Sequence, residues 1–176
     1  MLPRGQPCRK DLRHNRRIRP TSTQGAQTLP PELSLLLDAI DEAFERKSWH
    51  GPNLRGALRG VTAHQAIWRP APGRHSIWEL TIHSAYWTYV GRRRLTGDKR
   101  GSFPLKGSNF FPVPDEPSET AWKQAIGLLV AQHQEWRAAV AQLKTLDRKQ
   151  IHLIRGVAAH DLYHAGQIQL LKRLQS

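Results

Sequence analysis

The chain has little sulfur: one cysteine and one methionine in 176 residues. Cys8 has no partner for an internal disulfide, and a thiolate zinc site needs several sulfurs, so any metal centre must draw on His, Asp or Glu. A chain without disulfides suits a reducing compartment, and a cytoplasmic location is expected. Long apolar runs are also missing. None approaches the roughly 20 residues of a membrane helix, so no membrane association is expected. The opening MLPRGQPCRKDLRHNRRIRP lacks the apolar core of a secretory signal, and Arg16-Arg17 lacks the apolar segment of a twin-arginine signal. Acidic residues are scarce, with 14 Asp and Glu against 27 Lys and Arg, a formal charge of +13. Such a balance draws polyanions in a salt-sensitive way without sequence specificity, so no specific nucleic-acid partner is expected.

What is present fits one domain with a charged extension. Residues 1–28 hold seven Lys/Arg and one Asp and few apolar side chains, and are expected to form a disordered basic tail. Residues 29–176 are expected to form the folded domain. Hydrophobic residues are only 39% of the chain, but six tryptophans can anchor a core.

Helical periodicity recurs four times, and strand alternation is nowhere sustained. Pro30-Pro31 can open a first helix, with Leu33, Leu36, Leu37, Ile40 and Phe44 as a stripe running toward Trp49. Shorter turns are expected around 54–58 and after Thr62, whose T-x-x-Q spacing can cap. Ser76-Ile-Trp-Glu79 is a capping box at the start of a second long helix ending near Thr96-Gly97. A third starts near residues 118–120. Asp147-x-x-Gln150 can cap a fourth. Between the second and third, residues 98–117 carry four prolines and three phenylalanines, a crossover longer than most connections. The expected fold is all-α: an antiparallel four-helix bundle with a long crossover between helices 2 and 3.

Three histidines carry the chemistry. His160 and His164 stand in H-D-L-Y-H, and positions i and i+4 share one helix face about 5–6 Å apart. His83 lies on the inward stripe of the second long helix, so three imidazoles can meet one cation and leave a coordination position open. The other reading makes each an ordinary half-polar core histidine. Asp161 follows His160 where a zinc protease would carry Glu, which excludes that class.

The other candidates have structural alternatives beside them. Glu79 can act as a general base or simply complete the capping box. Asp161 can accept a hydrogen bond from a ligand imidazole, or pack. His50 can reach substrate or anchor the Gly51-Pro52 break, and His133 reads as a core histidine bonded to a neighbour. Tyr86 and Tyr163 can donate near the site, and Arg92–Arg94 can hold an anion or complement a helix end. His64, His75 and His152 receive no role.

The segments WRPAPGRHSIWELTIH (68–83), RRRLTGD (92–98) and GVAAHDLYHAGQIQLLKR (156–173) resemble the DinB/YfiT-like superfamily, over roughly residues 30–175. That resemblance implies a four-helix bundle with a metal held by three histidines, which fall here on His83, His160 and His164. It implies a divalent cation (zinc, nickel, manganese or iron) and a metal-dependent hydrolase or thiol-dependent transferase. The partners implied are a small-molecule substrate or a low-molecular-weight thiol, and a homodimer is compatible with it. The alternative is a non-catalytic metal-binding or stress-response binding protein. The bacterial thiols and substrates of such families leave the substrate of this chain unspecified.

Overall fold

The structure is a computed structural model in which residues 30–175 are described; the expected basic tail, residues 1–28, lies outside them. The described residues contain helices and no strand: α1 Pro31–Phe44, α2 Leu54–Ala57, α3 Ala63–Ile67, α4 Ile77–Thr96, α5 Glu119–Ala141 and α6 Arg148–Arg173. Local sequence sets most of the boundaries. Ser76 and Glu79 bond reciprocally at the start of α4, as do Thr62 with Gln65 and Asp147 with Gln150 at the starts of α3 and α6. Ser118 caps α5 by accepting from the Ala121 N–H. α4 stops at Gly97, whose φ of 79° is a left-handed cap that a glycine adopts without steric cost.

The first helix ends sooner than its apolar stripe suggested. α1 finishes at Phe44, and Trp49 is fully exposed rather than part of the core. Phe44 is the last side chain on the stripe that finds a covering helix. Beyond it, Asn53 ties the turn by donating to the Arg46 carbonyl and accepting from the Gly56 N–H.

Each long helix packs on two others: α4 on α5 and α6, and α1 on the same pair. Side-chain contacts give their directions. Trp78 meets Trp122 and Arg92 pairs with Glu135, so α4 and α5 run the same way. His83 meets His160 and Gly91 faces Val157, so α6 opposes α4. Asp41 pairs with Arg137 and Phe44 stacks on His133, so α1 opposes α5. The expected antiparallel arrangement thus holds for the pairs α4–α6 and α1–α5, while α4 and α5, the pair expected to be joined by the long crossover, run in the same direction. Same-direction neighbours cannot be joined by a tight turn, and residues 98–117 bridge the full length of the pair.

Two apolar clusters fill the interior. One joins Phe44, Ile77, Trp78, Trp122, Leu129 and Ile168, among others, with Phe111 of the crossover. The other joins the α1 leucines to Trp136, Val140, Ile154 and Val157. Trp122 and Trp136 are fully buried, and truncating either to alanine should cost about 3–5 kcal/mol. Trp122 also donates to the Val61 carbonyl at 2.7 Å, pinning α5 to the α2–α3 segment. Gly91 is required by close approach: a Cβ there would meet Val157 Cγ2 at 2.8 Å and Trp136 Cζ3 at 3.7 Å. No helix among the described residues is long and apolar enough to cross a membrane.

Candidate metal centre

The seam between α4 and α6 brings the three histidines together. His83 Nε2 is 3.2 Å from His160 Nε2, which is 3.0 Å from His164 Nε2. One nitrogen from each lies within 4.8 Å of the others, and the group could hold a metal ion. For bonds of about 2.0–2.1 Å, nitrogens on a tetrahedron sit about 3.3 Å apart, close to the two contacts seen.

The outward nitrogens are answered by acceptors. His83 Nδ1–H donates to the Asn109 carbonyl at 3.0 Å, and His164 Nδ1–H donates to Gln167 Oε1 at 2.6 Å. Each acceptor holds its proton on Nδ1 and leaves the Nε2 lone pair pointing inward, the tautomer a metal needs. His160 Nε2 carries at most one proton, so it can donate to only one of the two lone pairs it faces. A cation relieves that crowding of acceptors, and the donor set fits one.

Burial keeps the rings neutral. It pushes the His160 imidazole down to about 3 and His164 to about 4, with neighbouring imidazoles adding to the shift, and it lowers His83 as well. Neutral imidazole is the ligand form, so nothing need be deprotonated at pH 7.

The crossover covers one side of the site. Phe110 is stacked on both His83 and His75, with ring centroids 4.2 and 3.6 Å away and nearly parallel planes. Asn109 takes a φ of 66°, and its side-chain oxygen accepts from Trp87 Nε1 at 3.0 Å. Trp87 stands 6.3 and 6.4 Å from the rings of His83 and His160. Asn109, Phe110 and His75 were missed by the sequence reading because an irregular segment has no periodicity to place it. Gln167 was legible in principle, three residues after His164 on one helix face.

Other sequence candidates resolve differently. Glu79 accepts from the Ser76 N–H at 2.8 Å and pairs with Arg69, which together hold its carboxyl below the usual range despite burial. Its role is capping and ion pairing. Asp161 is buried with Oδ1 unbonded among the described residues, and burial raises its carboxyl well above the usual range. It does not hold a ligand imidazole; its position about 100° from His160 turns it toward the core instead. His133 is fully buried and stacked on Phe44 at 3.6 Å, but neither ring nitrogen has a hydrogen-bond partner, so the bonded neighbour expected for it is absent among the described residues. His50 lies in the loop after α1, 3.4 Å from Ser48 Oγ.

Tyr86 packs among Tyr89, Phe103 and Phe111 rather than at the histidines. Tyr163 is exposed, but its hydroxyl accepts from Gln167 Nε2 at 3.2 Å and so steadies the amide that holds His164. Arg92 pairs with Asp98 and Glu135, and Arg93 donates to the Asp98 carbonyl. Arg94 has no partner among the described residues.

Comparison with known proteins gives a family and nothing narrower. No curated protein and no solved structure matches the chain. The family model described as DinB superfamily matches residues 48–168, which include all three histidines and the crossover. Matched over more than half its length, the chain belongs to the DinB superfamily.

Proposed function

We propose that this chain is a divalent-metal enzyme built on a four-helix bundle, with His83, His160 and His164 as its ligands and a small molecule as its substrate. The observation that carries the reading is the convergence of three Nε2 atoms while acceptors occupy the Nδ1 atoms of His83 and His164. Three neutral ligands leave the charge of a cation uncompensated. Bound there, a divalent cation supplies the positive charge that makes water or a thiol a competent nucleophile at neutral pH. The reaction class is accordingly hydrolysis or thiol-dependent group transfer, and imidazole donors suit zinc, nickel, manganese or iron.

The protein's own groups prepare the site. Asn109 and Gln167 accept from the Nδ1–H of His83 and His164 and so favour those tautomers, and Phe110 stacks on the His83 ring. Trp87 and Phe110 wall the histidines with apolar rings, limiting the water that competes with substrate. Glu79, the carboxylate that could have served as a base, is committed to Ser76 and Arg69.

The test begins with elemental analysis of protein purified without added metal or a polyhistidine tag. About one transition metal per chain is expected, falling below about a tenth in the His160→Ala/His164→Ala variant. Equal metal in both proteins overturns the ligand assignment. Metal-loaded protein is then assayed on activated esters and with thiol cosubstrates; turnover that survives His83→Ala discredits the enzymatic reading.

A further inference from the structure

A cavity of about 620 Å³ opens between α4 and α6 and reaches the candidate metal centre at one end, where His160 and Trp87 line it. Its walls are mainly apolar, with Val90, Leu95, Leu153 and Val157 among them. At the far end stand Arg94 and Lys149. Neither cation has an ion-pair or hydrogen-bond partner among the described residues. Asp147 also lines that end, but its carboxylate accepts from the Gln150 N–H as the cap of α6, at 2.7 Å. Helix rise of about 1.5 Å per residue puts Lys149 roughly 16 Å from His160 along α6. The antiparallel course of α4 places Arg94 at the same end as Lys149.

Gly156 keeps the middle of this cavity open. It lies one turn before His160 on α6, and a Cβ added there would meet nothing within 4 Å. No packing contact requires this glycine, in contrast to Gly91, and a glycine in a helix interior costs about 0.8–1 kcal/mol against alanine. What its missing side chain leaves is space in the cavity.

We propose that this cavity is the substrate site and that it takes an amphipathic anion: an apolar body lying between α4 and α6, an acidic group at Arg94 and Lys149, and the reacting end at His160. The inference deepens the enzymatic reading by naming its substrate class. Charge complementarity selects the occupant. The chain's own basic segment, seven Lys/Arg and one Asp in residues 1–28, would be repelled by the same two cations. The apolar walls supply affinity, and the two cations supply orientation, so that the reactive end faces the histidines.

The test uses octanoate and octanol, which share a body and differ in charge. Calorimetric titration is run on the full-length protein, both as purified and after chelation. In chelated protein octanoate should bind at least tenfold tighter than octanol, a difference of about 1.4 kcal/mol. Arg94→Ala/Lys149→Ala should abolish that preference while octanol binding stays within about twofold. Gly156→Leu, which adds a good helix former, should remove binding of both ligands without lowering the melting temperature. Equal affinities in the wild type, a preference that survives the double variant, or unchanged binding in Gly156→Leu would each overturn the proposal. Because these arms are read without metal, they stand or fall separately from the metal content of the purified protein.

Discussion

Two buried histidine environments sit on opposite seams of the helices. On the α4–α6 seam three imidazoles converge, with acceptors behind two of them. On the α1–α5 seam His133 is buried more deeply than His83, its titration is pushed down to about 4, and its ring stacks on Phe44 while neither nitrogen has a hydrogen-bond partner among the described residues. Burial and a displaced pKa are common to both, so neither marks a site. What separates them is where the nitrogens point. In the triad, lone pairs face one another across distances that a cation can span; at His133 no group among the described residues bonds either nitrogen, and its ring serves as a flat, poorly solvated core group.

The strongest way to break this contrast is through the acceptor behind one imidazole of the triad. Gln167→Leu removes the oxygen that holds the His164 Nδ1 proton while keeping an apolar stem of similar length. Loss of such a supporting bond typically costs 10–100-fold in metal affinity, and that drop is expected in competition titrations against a chelating dye. Phe44→Leu, the matching change beside His133, should leave metal affinity within about twofold. Similar losses in the two variants would mean that general destabilisation, rather than orientation, weakens the metal.

A second measurement sharpens the other half. His133 titrates near 6.5 in an unfolded chain and about 4 in the fold. As pH falls below 6.5 the unfolded chain takes up its proton first, so stability declines between pH 6.5 and 4 and this contribution levels off below. His133→Leu removes the group and should hold its stability better through that window. Relative to wild type the gain should reach on the order of 1–3 kcal/mol at pH 4 in urea titrations. Parallel stability curves for the two proteins would show that His133 is solvated in ways its burial conceals.

Much of this contrast was legible in the sequence, and the missing parts share a cause. The capping boxes at Thr62, Ser76 and Asp147 and the apolar stripes located the helices, because both are local rules. The i, i+4 spacing of His160 and His164 put two imidazoles on one face, and His83 sat on an inward stripe. The direction of α4 relative to α5 lay outside the local rules, although the long crossover between them is the connection that same-direction neighbours need. Asn109 was invisible because its partner His83 is 26 residues away, and no periodic signal reaches across an irregular segment. The helix faces of Asp161 and His133 depend on tertiary packing, which spacing alone leaves open.

The smallest expected effect is that of Asn109→Gly, which beside Asn109→Val tests whether the crossover acts through its backbone. Asn109 supplies two bonds: its carbonyl accepts from His83, and its side chain accepts from Trp87. Its φ of 66° suits Asn or Gly and strains a β-branched residue. Asn109→Gly keeps the left-handed backbone and the carbonyl and loses only the exposed bond to Trp87, a change of about 0.5–1.5 kcal/mol in stability. Metal affinity should then fall by less than about threefold. Asn109→Val cannot hold the same φ without a cost of about 1–2 kcal/mol, so the backbone shifts and the carbonyl leaves His83. That variant should lose metal affinity nearly as far as Gln167→Leu. If Gly loses metal affinity as far as Val, the side-chain bond to Trp87 is what matters; if neither loses it, the backbone carbonyl is a bystander to the orientation of His83.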